Sequence, residues 1–160
     1  MFAKRMRNLQ NQEMPPDIRA ATVGDAADLS AIRAQCFDKI WSPESFAEML
    51  ARTETICFMV PGVAYALAQK IPPESELITI AVISAYRRQK IAQRLLEKLS
   101  QELRGDAIHT LHLEVNEKLV AARALYEKLG FHPVGRRAEY YRNAAGAPED
   151  AILMARQITV

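Results

Sequence analysis

The stretch Leu77–Leu96, LITIAVISAYRRQKIAQRLL, decides how the rest of the chain is read. Leu77 to Ile83 carry no charge and are rich in β-branched residues, the signature of a strand buried on both faces. Ser84 and Ala85 break the run, and Arg87, Arg88, Gln89 and Lys90 follow. Ile91, Leu95 and Leu99, with Ala92, Leu96 and Leu103 beside them, then recur at helical spacing. A buried strand thus feeds a helix whose start is cationic. A helix N-terminus already carries partial positive charge and unpaired N–H groups, so added cations there imply an anionic ligand, first of all a phosphate.

Composition bounds the classes that remain. With 160 residues, 49% of them hydrophobic, the chain suits one domain able to bury about two-thirds of its surface. A net charge of +2 makes no case for nucleic acid. Cys36 and Cys57 lie in apolar surroundings without metal-ligand spacing, as reduced core thiols of a cytoplasmic protein do, and no metal is expected. The leader, residues 1–16, is polar, ends in Pro15 and Pro16, and lacks the apolar stretch of a signal peptide; it reads as a flexible tail ahead of a single domain over 17–160. Nothing later reaches transmembrane length, so no membrane is expected as a partner.

Working outward, Ile18 to Thr22 reads as a first strand, and Gly24 and Asp25 introduce a helix with Leu29, Ile32 and Cys36 on one face. Ser42 and Pro43 suit the N-cap and first position of a second helix, with Trp41 stapled onto Phe46. Ile56–Val60 and Val63–Gln69 flank Pro61 and Gly62 as a hairpin. After the long helix, His109–Val115 alternates, Leu111, Leu113 and Val115 on one face and His112 and Glu114 on the other. Asn116–Leu129 reads as a helix closed by Gly130; Phe131–Tyr141 and Asp150–Ile158 read as strands around a turn from Asn143 to Gly146. The order is β-α-α-β-β-β-α-β-α-β-β, a mixed α/β fold.

Strand, basic turn and helix, followed by LHLEVNEKLVAARALYEKLGF (Leu111–Phe131), resemble the GNAT superfamily of acetyl-CoA-dependent N-acetyltransferases. The family turn, Q/R-x-x-G-x-G/A, falls on Arg87 to Ala92. FDKIWSPESF (Phe37–Phe46) and RRAEYYRNAAGAPEDAILMA (Arg136–Ala155) are similar to the RimI branch, which acetylates the N-terminal alanine of a ribosomal protein. The resemblance implies a GNAT fold, a central mixed sheet of about seven strands flanked by four helices, and acetyl-CoA as cosubstrate. It implies that Ile80, Ala81 and Val82 line the pantetheine and thioester, and that Arg87, Arg88, Gln89, Lys90, Ile91, Ala92 and Gln93 hold the pyrophosphate. Leu119 matches a coenzyme-holding asparagine of the RimI branch, and Lys90 stands where the family has glycine.

The resemblance further implies Glu114 as general base, Tyr126 as general acid, the Val82 N–H as oxyanion donor, and Trp41, Tyr140 and Tyr141 as the border of a peptide groove. On the residues alone, Glu114 reads as a solvated strand carboxylate, Tyr126 as half-buried packing and Trp41 equally as a staple. Alternation sets Tyr140 and Tyr141 on opposite sides of their strand, so that only one meets substrate. The implied partner is a protein or peptide N-terminus, that of a small-subunit ribosomal protein foremost. A lysine or small-amine acetyltransferase and a non-catalytic coenzyme-binding module stand as alternatives.

Overall fold

The computed structural model describes residues 17–158; the expected tail, 1–16, lies outside them. Seven strands form one sheet: β1 (Arg19–Ala20), β2 (Thr55–Val60), β3 (Ala64–Ile71), β4 (Glu74–Val82), β5 (Thr110–Asn116), β6 (His132–Arg142) and β7 (Pro148–Gln157). Their order is β1-β2-β3-β4-β5-β7-β6. Only β4 and β5 pair in parallel; every other neighbour is antiparallel. Four helices flank the sheet: α1 (Ala26–Cys36), α2 (Pro43–Leu50), α3 (Ile91–Gly105) and α4 (Val120–Lys128).

The core has two parts, one on each face. Leu95, Leu96, Leu99 and Leu103 of α3 are fully buried against Ala64, Ala66, Leu111 and Leu113. Leu29 and Ile32 of α1 and Phe46 of α2 pack with Met59, Tyr65 and Leu67 on the other side. The N-terminal signals of α2 are realised: Ser42 Oγ accepts from the Ser45 N–H at 3.1 Å, Pro43 is the first helical residue, and the Trp41 and Phe46 rings lie 5.5 Å apart. Gly62, at the β2–β3 turn, has φ of 72° and donates its N–H to Asp28 Oδ2 at 2.9 Å.

Three expectations are corrected. The first strand is shorter than Ile18–Thr22, because Thr22 and Asp25 instead cap a 3-10 turn at Val23–Asp25. The helix expected from Asn116 begins at Val120: Asn116 ends β5, and its side-chain oxygen takes the Lys118 N–H at 2.9 Å, holding a turn open. Burial along β4 alternates, with Leu77, Thr79 and Ala81 buried and Ile78, Ile80 and Val82 only half-buried. The physical reason is that β4 loses a neighbour. It pairs with β5 at Glu74, Ser75 and Glu76 alone, after which Leu77–Val82 and Leu113–Asn116 run on without pairing to each other.

A β-bulge adjusts what the free part of β4 presents. Leu67 pairs with Thr79 and Ala68 with Leu77, leaving Ile78 as the extra residue. Leu77 packs under α3 and Ile78 on the opposite face, while Ile80 and Val82 return to the α3 side.

Candidate active site

A cleft of about 740 Å³ lies against the part of β4 that has no β5 partner. Ile80, Ala81 and Val82 form one wall, Arg87, Arg88, Lys90, Ile91, Ala92 and Gln93 one end, and Tyr126, Leu125 and Leu129 the side formed by α4 and its end. Of the residues expected to hold a coenzyme, only Gln89 and Leu119 do not line it; Leu119 is 56% exposed.

The basic turn is not the first turn of a helix. A 3-10 turn at Ser84–Tyr86 follows the strand, and α3 begins only at Ile91. Arg88 and Lys90 between them take the left-handed backbone, with φ of 63° and 60°. That conformation strains any side chain with a Cβ, which is why a glycine suits position 90 better than lysine does. Among the described residues, the N–H groups of Arg88 to Gln93 have no protein acceptor; hydrogen bonding resumes where the Arg94 N–H meets the Lys90 carbonyl at 3.0 Å. The Arg87 Nε donates to the Val82 carbonyl at 3.0 Å, tying the turn to the strand rather than pointing at a ligand. Cys36 lines the cleft too, and its Sγ donates to the same carbonyl at 3.5 Å. Cys57 is a core thiol whose burial pushes its pKa up to about 12.

The ladder fixes which backbone groups face the gap. Ile83 donates to the Val63 carbonyl at 3.0 Å, so alternate residues from Ile83 face β3. The N–H and C=O of Val82 and Ile80 therefore face away from β3, toward the open edge.

Glu114 is on β5 and Tyr126 on α4; Tyr126 lines the cleft and Glu114 does not. The Glu114 side chain is 16% exposed, lies on the face opposite Leu113 and Val115, and pairs with Arg137 Nε at 3.1 Å. Tyr126 packs edge-to-face on Phe131, centroids 5.9 Å apart, and burial raises its phenol above the ordinary value, so it stays protonated at neutral pH. The Tyr141 phenol is pushed up to about 12, first by burial and then by the charge of Glu114. The Tyr140 phenol is also raised, chiefly by Glu114.

The alternation expected of Tyr140 and Tyr141 is overturned. A register shift between Arg137 and Tyr141, with Glu139 at φ of 54°, bulges β6, and the two rings meet edge-to-face at 5.0 Å. Asp150 holds the bulge, accepting the Glu139 N–H at 2.9 Å and an Arg136 N–H at 2.8 Å, while Arg136 also reaches Glu117. Trp41 does not line the cleft; its ring covers Arg33 at 3.9 Å and packs on Phe46.

Sequence reasoning passes over Cys36, Phe37, Tyr86, Ala122, Leu125, Lys128 and Leu129 in the cleft wall, Glu76 at the last β4–β5 pairing, and Arg137 against Glu114. The pairing in motif RRAEYY carries no local mark of Arg137, because its partner is on another strand.

Residues 23–143 match the model of the acetyltransferase (GNAT) domain. The [ribosomal protein bS18]-alanine N-acetyltransferase of Escherichia coli strain K12 is 43% identical over 97 residues, 61% of this chain and 65% of the relative's own length. The N-alpha-acetyltransferase RimI of Mycobacterium tuberculosis is 37% identical over 152 residues, covering 89% of this chain and 92% of that one. A crystal structure of the ribosomal-protein-S18-alanine N-acetyltransferase from Escherichia coli superposes with a TM-score of 0.79 at 34% identity, covering 90% of this chain and 94% of that one. With the split sheet, the unpaired turn and these likenesses together, the chain belongs to the GNAT acetyltransferase family.

Proposed function

We propose that this chain moves the acetyl group of acetyl-CoA to the α-amine at a protein N-terminus, by direct transfer in a ternary complex. The observation that carries the reading is the run of N–H groups without a protein acceptor from Arg88 to Gln93, in a turn whose residues other than Gln89 line the same cleft as Ile80, Ala81 and Val82. A pyrophosphate matches that array in charge and in acceptors, and the apolar wall at Ile80, Ala81 and Val82 suits pantetheine. In this reading residues 17–160 act as one domain in the cytoplasm. No helix among the described residues is long and apolar enough to cross a membrane.

An α-amine has a pKa near ~8, so about a tenth is already neutral at pH 7 and a modest base suffices. Glu114 takes the proton of the remainder, directly or through water. The amine attacks the thioester carbonyl, and the Val82 N–H, facing the open edge, donates to the oxyanion. The C–S bond then breaks, Tyr126, kept protonated by its burial, donates its proton to the departing thiolate, and the extra proton shed by the nitrogen as the amide forms passes through water to restore the phenol. Among the described residues the hydrogen-bond partner of Cys36 Sγ is the Val82 carbonyl and not a base, which favours direct transfer over an acetyl-enzyme. In this reading Tyr140, Tyr141 and Trp41 border the acceptor peptide, the two tyrosine rings packed on each other.

The relatives named for bS18 make the N-terminal alanine of a small-subunit ribosomal protein the favoured acceptor. Incubation with acetyl-CoA and peptides of differing first residue, with the acetyl group located by mass spectrometry, tests this. Acetylation of an N-terminal alanine is expected; acetylation of lysine side chains alone refutes it. The departures at Lys90 and Leu119 keep a binding module in view as a second reading, which would bind coenzyme A yet release no thiol with any amine.

A further inference from the structure

Arg137 takes no part in the steps above, yet its guanidinium stands at the carboxylate where an incoming ammonium ion would have to sit. Its Nε is 3.1 Å from Glu114 Oε1, and its Cζ lies 5.6 Å from the centroid of the Tyr140 ring. The two ends of the pair are unlike: the Glu114 side chain is 16% exposed, the Arg137 side chain 56%. A largely buried carboxylate left without a cation is costly, whereas a guanidinium already more than half in water moves off at little cost.

Among the described residues, the other charged or titratable groups around Glu114 supply no replacement cation. His112, on the same strand and face, is 3.2 Å from Glu74. Glu76 of β4 is a further acid, and Tyr126 of α4 and Tyr140 and Tyr141 of β6 are phenols. Strand β7 sets Leu153 opposite Glu114. The backbone that carries Arg137 is pinned through Asp150 and Arg136, so the side chain is free to swing without the strand following.

We propose that Arg137 is a positioning residue, a stand-in cation that holds Glu114 in the free protein and yields its place to the protonated α-amine of the acceptor. This rests on the reading of Glu114 as base. The acceptor arrives as an ammonium ion and replaces the guanidinium at the carboxylate. One N–H bond then breaks and the proton passes to Glu114, leaving a neutral amine and a neutral acid that needs no counter-cation. After the amide product leaves, Glu114 returns its proton to water and Arg137 closes again. Acceptor affinity therefore carries the cost of displacing the arginine, and an uncharged N-terminus has no ion to exchange.

Calorimetric titration of the wild type, Arg137→Gln and Arg137→Lys tests this, each saturated with coenzyme A. The probe is an eight-residue peptide beginning with alanine, with its N-terminus free or acetylated. Arg137→Gln is expected to bind the free peptide about two- to fivefold more tightly than wild type, the range set by a partly exposed ion pair. The acetylated peptide is expected to bind both alike, and Arg137→Lys to return to the wild-type value. Weaker or unchanged binding of the free peptide by Arg137→Gln overturns the proposal, as does an equal gain for both peptides. Glu114→Gln separates this from the reading beneath it. If that variant keeps wild-type turnover, Glu114 is not the base and both fall; if turnover is lost while the arginine variants bind contrary to expectation, the stand-in cation alone falls.

Discussion

Strands β3 and β6 belong to one sheet and differ in almost everything else. From Ala64 to Ala68 β3 is buried without interruption, whereas β6 is exposed along nearly its whole length, and α4 beside it has no buried residue. Between the two halves β4 and β5 pair over Glu74, Ser75 and Glu76, next to the bond from the His109 N–H to the Pro73 carbonyl. The closed half, β1 to β4, contributes backbone to the proposed site: the Val82 N–H and the turn that follows the strand. The open half contributes side chains: Glu114, Tyr126, Arg137, Tyr140 and Tyr141. Backbone groups need a rigid frame to be aimed, and side chains that exchange partners need room. Placing the first in the packed half and the second in the exposed half meets both needs.

The largest effect that separates the halves is on stability. Phe46 is fully buried, with the Tyr65 ring 5.6 Å away on one side and Trp41 on the other. Phe46→Ala is expected to cost about 3–5 kcal/mol in urea unfolding. Val134→Ala in β6, where Val134 is 54% exposed, should change stability by less than about 0.5 kcal/mol. Comparable losses from the two would erase the distinction between frame and open half.

Activity should respond in the opposite sense. Glu114→Gln and Tyr126→Phe should each lower turnover at least tenfold, read as thiol release, with unfolding midpoints close to wild type. Wild-type turnover in either variant removes that residue from the chemistry.

The junction between the halves gives a smaller effect. Lys90 sits at φ of 60°, a conformation that costs a side-chain-bearing residue roughly 1–2 kcal/mol. The double variant Lys90→Gly, Leu119→Asn should bind coenzyme A several-fold more tightly in a fluorescence titration. Since Leu119 lies outside the cleft, Lys90→Gly alone should give most of the gain. Equal affinity of wild type and double variant would show that the turn tolerates lysine.

What was legible in the chain follows the range of the forces involved. Ser42, Pro43 and Trp41 announced α2, and the leucines of α3 their buried face, because caps, staples and helical periodicity are local. The parting of β4 from β5 was legible through the family resemblance, which implies a splayed strand end at Val82, and not in the residues themselves: nothing within Leu77–Val82 marks the edge that lacks a partner. Both bulges escaped for the same reason, and the one at Glu139 put two adjacent tyrosines together where alternation set them apart. Family likeness pointed to most of the cleft but also to Gln89 and Leu119, which do not line it, and it gave no sign of Arg137.

The smallest expected effect lies at the start of the closed half. Asp25 bonds Arg19 at 2.8 Å and the Thr22 N–H at 2.8 Å, and these hold its carboxyl well below the ordinary carboxylate range. A depressed folded-state value means that the stabilisation is complete above the unfolded value near ~4 and is lost as pH falls from there through the folded value. Wild type should therefore exceed Asp25→Asn in urea midpoint at pH 7, and the gap should narrow below about pH 4. A gap that stays constant with pH would contradict the assignment.

The central claim is that the parted sheet and the unpaired turn form one coenzyme site, and amide NMR during titration with acetyl-CoA tests it most directly. The largest shifts are expected at the N–H groups of Arg88 to Gln93 and along Ile80 to Val82. Saturable binding that leaves those amides unmoved and shifts others, or no binding at all, would contradict the account.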